Sequence, residues 1–192
     1  MNLAKTLLVI IVLSLTACSQ DRKKFSSNRI DVSFDDYIKT LNTIPLPFTH
    51  SSMERGFPYI SERFDSLGFD KYKHVWTTRP LGLLFNDKEN IVTVDLSVGD
   101  DGLVPFLVSF DKNGTKLDSL GPYDRARQDV NTMTISNFKV SANKQFVIID
   151  TNKRWETDNN VDEILSTETK TIDSTIYTLS KKGKFIKIAK NL

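Results

Sequence analysis

Cysteine is almost absent: Cys18 is the only one in 192 residues. No disulfide can form within the chain, so stability must come from an apolar core. A structural zinc site draws on clustered thiolates and imidazoles, and histidine is scarce too, with only His50 and His74, far apart in sequence. An excess of one charge is also missing, with 26 Lys+Arg against 24 Asp+Glu. That balance argues against nucleic acid, which calls for a clustered basic excess. No G-x-S-x-G elbow, glycine-rich phosphate loop or full EF-hand pattern occurs. Metal and cofactor are therefore not expected. Long apolar runs are lacking as well: LLVIIVL, Leu7 to Leu13, falls well short of the ~20 residues that span a bilayer.

What is present begins at that run. Met1 to Ala17 has the layout of a secretory signal, with Lys5 as its positive charge, the apolar run, and small residues ending at Ala17. Leu15-Thr16-Ala17-Cys18 then looks like a bacterial lipobox. The resemblance implies cleavage after Ala17, a diacylglycerol on the Cys18 thiol, and a fatty acyl chain such as palmitate on the new amine. Physical chemistry agrees, since one acyl chain binds a membrane only marginally and two or more give a stable anchor. The sole cysteine is thus read as an anchor. Ser19 stands where enteric bacteria place an aspartate to retain lipoproteins in the inner membrane, so the outer membrane is the expected address. Residues 18–29 are polar and read as a lipidated flexible tether, leaving residues 30–192 as one domain.

The domain opens with helical spacing. Phe34, Ile38 and Leu41 recur at i, i+4 and i+7, with Ser33 as N-cap and Asp35 and Asp36 in the first turn. Pro45 and Pro47 end that helix, and PLPFT, Pro45 to Thr49, reads as an extended strap. Ser61 to Leu67 reads as a second short helix, with Gly68 as its stop and Phe64 and Leu67 as its buried edge. After this lead (30–80), β signals take over. Ile91 to Val98 alternates with period two. Val104 to Phe110, Lys116 to Leu120, Thr132 to Val140, Gln145 to Asp150, Thr171 to Ser180 and Phe185 to Ala189 follow as strands. Asn113-Gly114 marks a hairpin between two of them. FNDKENI, FDKNG and LSKKGKF echo one another as turns. The expected fold is α+β, mainly β: an antiparallel meander or sandwich-like sheet preceded by two short helices.

Candidate chemistry is thin. His50 lies beside Ser51 and Ser52, but a nucleophilic pair needs hydrogen-bond reach and an orienting acid, so His50 is read as a surface or edge histidine. Lysines near His74 make it a poor base. Adjacent carboxylates such as Asp35-Asp36 point to opposite faces of a strand and are no acid/base pair. Turn chemistry accounts for Gly99 to Gly102 and Asp111 to Gly114. Trp, Tyr and Arg are the types enriched in binding hot spots, which selects Trp155, Tyr123, Arg125 and Arg127 as candidate binding residues. Lys181, Lys182, Lys184, Lys187 and Lys190 suit the protection of an edge strand. Asp65-Ser66-Leu67, Asp118-Ser119-Leu120 and Asp173-Ser174-Thr175 look like the O-glycosylation acceptor motif of Bacteroidetes, which makes Ser66, Ser119 and Ser174 candidate sites.

The lipobox, the helical lead, Pro45 to Phe48, Phe110 to Leu120 and Lys181 to Phe185 together resemble small lipoproteins of Bacteroidetes, a family that carries no established activity. The resemblance implies location and fold. The expected function is a non-enzymatic envelope lipoprotein, a binding or accessory module held to the membrane through Cys18. Its expected partner is an envelope protein or a glycan. The alternatives are an inhibitor or immunity-type lipoprotein and an envelope hydrolase using loop carboxylates.

Overall fold

The computed structural model describes residues 31–61, 63–99, 102–158 and 163–191, with the backbone alone for 163–165 and 189–191. Cys18, Ala17 and the tether lie outside the described residues. The domain is mainly β, with two short helices and antiparallel sheets. Its elements are α1 (Phe34–Lys39), β1 (Phe48–Ser51), α2 (Ser66–Tyr72), β2 (Arg79–Asn86), β3 (Ile91–Gly99), β4 (Gly102–Phe110), β5 (Lys116–Leu120), β6 (Arg127–Asp129), β7 (Thr132–Val140), β8 (Gln145–Thr157), β9 (Glu163–Leu179) and β10 (Phe185–Asn191). One sheet runs β2-β3-β4-β5. The other runs β1-β7-β8-β9-β10, with β6 also on β7.

Period two explains the layers. On β3, Val92, Val94 and Leu96 join Leu81, Leu107, Phe138, Val140, Phe146 and Ile148 in a core shared by the two sheets. Their odd-numbered neighbour Ile91 faces the other way, with Val108 and Phe110, into a second core under α1 and α2. The first sheet is therefore covered on both faces. Phe34, Ile38 and Leu41 are buried there as their spacing predicts, and Ser33 caps α1 by accepting the Asp36 amide at 3.2 Å.

The second helix differs from expectation. Asp65, not Ser61, is its N-cap, accepting the Leu67 and Gly68 amides at 2.9 and 3.0 Å. Gly68 lies inside the helix instead of ending it. A Cβ there would stand 2.8 Å from Tyr37 Cδ2, so glycine permits the close approach of α2 to α1. Leu67 consequently points outward, 52% exposed.

The strap stitches the sheets. Leu83 donates to the Asn42 carbonyl and Ile44 to the Leu83 carbonyl, both at 2.8 Å, which ties the residues leading into the strap to β2. A few residues on, Phe48 to Ser51 pairs antiparallel with Val140 to Asn137 of β7. The three echoed turns share one device. Asp87 accepts the Glu89 and Asn90 amides, Asp111 those of Asn113 and Thr115, and the Ser180 hydroxyl that of Lys184. All three lie at one end of the sheets. β10 is an edge strand, and Lys181, Lys182, Lys184 and Lys187 beside and on it are exposed.

Candidate functional site

The opposite end of the sheets is open. β8 and β9 run to 13 and 17 residues, well past the stretches expected from sequence. The acidic segment after Trp155 therefore begins as strand, and residues 159–162 lie outside the described set. The longer strands overhang the shared core. Their inner face changes character along its length. Val140, Phe146 and Ile148 are apolar, and the same face then becomes polar in registered rows.

Strand register assigns these rows. Ser136 stands opposite Asp150, and Asp150 opposite Asp173. The next row is Arg127, Thr134, Asn152 and Thr171 across β6, β7, β8 and β9. A third contains Asp129, Thr132, Arg154 and Thr169. Directly opposed side chains stand close enough to act together. Thr134 Oγ1 donates to Asn152 Oδ1 at 2.9 Å. The Ser136 hydroxyl donates to buried Asp150 at 2.7 Å, and Arg125 pairs with the other Asp150 oxygen at 3.2 Å. Among the described residues, neither Arg127 nor Arg154 has a carboxylate within ion-pair distance.

The rows lead into a cavity of about 360 Å³. Its walls come from three connections: Ser52 to Glu54 after β1, the Gly99 and Gly102 to Val104 ends of the β3–β4 hairpin, and Tyr123, Ala126, Arg127 and Thr134. Tyr123 is fixed from behind. His50 Nε2 lies 2.7 Å from the Gly56 carbonyl, which can only accept, so Nε2 carries the proton. Nδ1 then accepts from the Tyr123 hydroxyl at 2.5 Å. The imidazole stacks on Phe57 with ring centroids 3.7 Å apart. Burial, reinforced by the Glu54 charge, pushes the Tyr123 phenol up and keeps its proton in place.

His50 thus stands on an edge strand, one of the two places expected, but as a buried strut and not a surface group, because β1 lies under the loop of Gly56 and Phe57. Both its ring nitrogens are engaged. The neighbouring serine hydroxyls serve backbone amides, Ser51 that of Met53 and Ser52 that of Ser136. His74 stacks on Phe106 at 4.7 Å, and burial first, then Lys116, lowers its pKa. Its backbone amide instead serves Asp95, donating at 2.9 Å to a carboxylate that Thr77 and Thr93 also contact at 3.4 and 3.3 Å. Neither histidine is placed to activate a nucleophile. Among the described residues no three His, Cys, Asp or Glu side chains converge as metal ligands.

Of the residues selected from sequence, Tyr123, Arg125 and Arg127 come together at this end. Trp155 does not present its ring there. It is buried, and its indole N–H donates to the Val130 carbonyl at 2.9 Å, holding the turn between β6 and β7. It meets the polar rows only through Arg154 and Thr169, with which it lines a separate hollow. Thr134, Asn152, Arg154 and Thr171 were missed. The alternation of Thr132-Met133-Thr134-Ile135 carried the signal, a polar phase on the face that turns apolar at Phe138. Ser66 and Ser119 are exposed, while Ser174 is half-buried in β9 between β8 and β10. No family model matches the chain, and no curated protein or solved structure is similar to it.

Proposed function

We propose that this chain is a lipid-anchored protein of the cell envelope, held through Cys18 to a membrane, the outer membrane by its Ser19, and that its domain binds a partner without transforming it. The observation that carries the binding reading is the pair of guanidinium groups, Arg127 and Arg154, which line one hollow with Thr134, Asn152 and Thr171 and have no carboxylate within ion-pair distance among the described residues. Such groups recognise carboxylate or phosphate through paired N–H donors. The hydroxyls and the Asn152 amide supply neutral hydrogen bonds alongside. A polar envelope partner bearing negative charge, protein or glycan, suits that mixture. The engaged nitrogens of His50 speak against nucleophilic catalysis at the same place.

A crosslinking pull-down from native envelopes tests this, comparing the wild-type protein with Arg127→Glu. Arg127 is exposed and unpaired, so its reversal leaves the fold intact. The expected result is one partner recovered at near-equal stoichiometry by the wild type and largely lost by the variant. Equal recovery by both proteins would remove the site from the reading, and recovery of nothing by the wild type would remove the partner.

A further inference from the structure

A second exposed feature lies on the segment between α2 and β2. Trp76, Val98 and Val75 are 72, 69 and 68% exposed, the three most exposed large apolar side chains among the described residues. Trp carries the largest apolar area of any side chain, so its exposure leaves the most surface to be gained by a contact. Val75 and Trp76 are neighbours in the chain, while Val98 continues the strand phase of Val92, Val94 and Leu96 and shares their face of β3. The Ser97 hydroxyl holds the Trp76 carbonyl at 2.7 Å, and the Thr78 amide donates to the Leu96 carbonyl at 2.8 Å. The chain at Val75–Trp76 thus runs beside the end of β3 that carries Val98. Behind the tip, Thr77 is tied to the His74 carbonyl at 2.7 Å and to buried Asp95. The loop is therefore braced, and Trp76 projects from a rigid base.

Cations flank this tip. Lys116 Nζ donates to the Lys73 carbonyl at 2.9 Å, two residues before Val75. Lys73 pairs with Asp70, and Arg79 follows on the exposed start of β2. The entry of the chain is also close. The Val32 carbonyl accepts from Tyr72 Oη at 3.1 Å, and Tyr72 precedes Trp76 by four residues, about 14 Å of extended chain at most. Val32 itself lies 14 residues beyond Cys18.

We propose that Val75 and Trp76 seat in a lipid surface carrying anionic headgroups, as a second membrane contact of the domain beside its lipid anchor. The inference rests on the anchored reading for its geometry, since an acylated Cys18 keeps Val32 within tether length of the bilayer. Trp is suited to the headgroup level, where its ring is apolar and its N–H stays wet. Arg79 and Lys116 meet the negative surface, an attraction that salt screens, while Lys73 is balanced by Asp70. The contact would hold the domain against the membrane with a fixed face outward.

The chain carries its own probe. It has two tryptophans, and Trp155 is buried, so a change in quenching on membrane contact reports Trp76. The experiment uses the native protein purified from envelopes, its acylation read by mass, and reconstituted into vesicles of phosphatidylethanolamine and phosphatidylglycerol with or without brominated lipid. Trp76 emission is expected to shift to the blue, to be quenched by the brominated chains, and to lose most of its accessibility to aqueous iodide. Val75→Glu, which keeps the probe and charges the tip, is expected to abolish these changes. Trp76→Phe supplies the Trp155 baseline. An acylated, vesicle-bound protein whose Trp76 stays open to iodide would overturn the proposal and leave the anchor standing. A protein without acyl chains would remove the anchor, and quenching of Trp76 by brominated vesicles would still decide the tip. Shielding of Trp76 in native envelopes but not in lipid vesicles would assign the tip to a protein and overturn the lipid contact.

Discussion

Gly82→Ala is expected to lower the unfolding free energy by about 3 kcal/mol, a large part of the ~5 to 15 kcal/mol that holds a domain together. A Cβ at position 82 would fall on the Asn42 carbonyl oxygen and 3.0 Å from Ile44 Cγ1. A backbone atom cannot rotate away, so the strap must move. Movement weakens the hydrogen bonds between Leu83 and Asn42 and between Ile44 and Leu83, about 1 kcal/mol each. It also lifts Ile44, which is fully buried, from the shared core, a cost of about 2 kcal/mol. The alanine returns less than ~1 kcal/mol by restricting the unfolded chain. Urea unfolding followed by Trp155 emission measures the change. Leu67→Ala is the control, with a shift under about 0.5 kcal/mol, because Leu67 points to solvent. A Gly82→Ala protein as stable as the wild type would show that the strap does not couple the sheets.

Asp95→Asn is expected to be stabilising near neutral pH and to change how stability follows pH. Asp95 is 1% exposed, and burial pushes its carboxyl up to about 6. The His74 amide, Thr93, Lys116 and Thr77 offset this only in part. The folded pKa lies above the unfolded value, so the native chain holds the proton more tightly. Between about pH 4 and 6 the native state binds more protons than the unfolded one, and stability falls as pH rises. The full penalty above pH 6 is ~3 kcal/mol, at 1.36 kcal/mol per pKa unit. Asparagine can still accept the His74 amide and carries no charge. Its advantage over the wild type should grow by about 2 kcal/mol between pH 4.5 and 7.5. His74 contributes with opposite sign, since its folded pKa is lowered and its stabilisation is lost as pH falls. Burial raises Asp124 in the same direction as Asp95. Both groups remain in the two proteins and cancel in the difference. A difference independent of pH would mean that Asp95 is solvated in the native state.

The parts legible in the sequence were those set by local periodicity and turn chemistry. Val92, Val94 and Leu96 announced an inward strand face, Phe34, Ile38 and Leu41 a helix stripe, and Asn113-Gly114 a hairpin whose glycine takes φ of 83°. Other features depend on distant neighbours. Gly68 looks like a helix stop until Tyr37 is placed against it. The long ends of β8 and β9 are mostly polar and lack the apolar alternation that marks a strand, because they reach past the core and pair only with each other and β7. β1 and β6 are too short to stand out. At the candidate site, residue type alone selected Tyr123, Arg125 and Arg127. The row of Thr134, Asn152 and Thr171 emerges only from register, and Trp155 exchanged a surface role for a structural one through its bond to Val130. The exposure of Trp76 follows from Thr77 turning inward to Asp95.

The measurement that bears most directly on the account is the intact mass of the native protein, with its N-terminal residue. The account predicts a chain that starts at Cys18 and exceeds its polypeptide mass by a diacylglycerol and, with the amine acylated, by one further fatty acyl chain. Additional excess in sugar-sized steps would mark glycosylation at Ser66, Ser119 or Ser174. A bare polypeptide mass, or a chain that begins at a residue other than Cys18, would contradict the lipid anchor and with it the proposed place of this domain in the envelope.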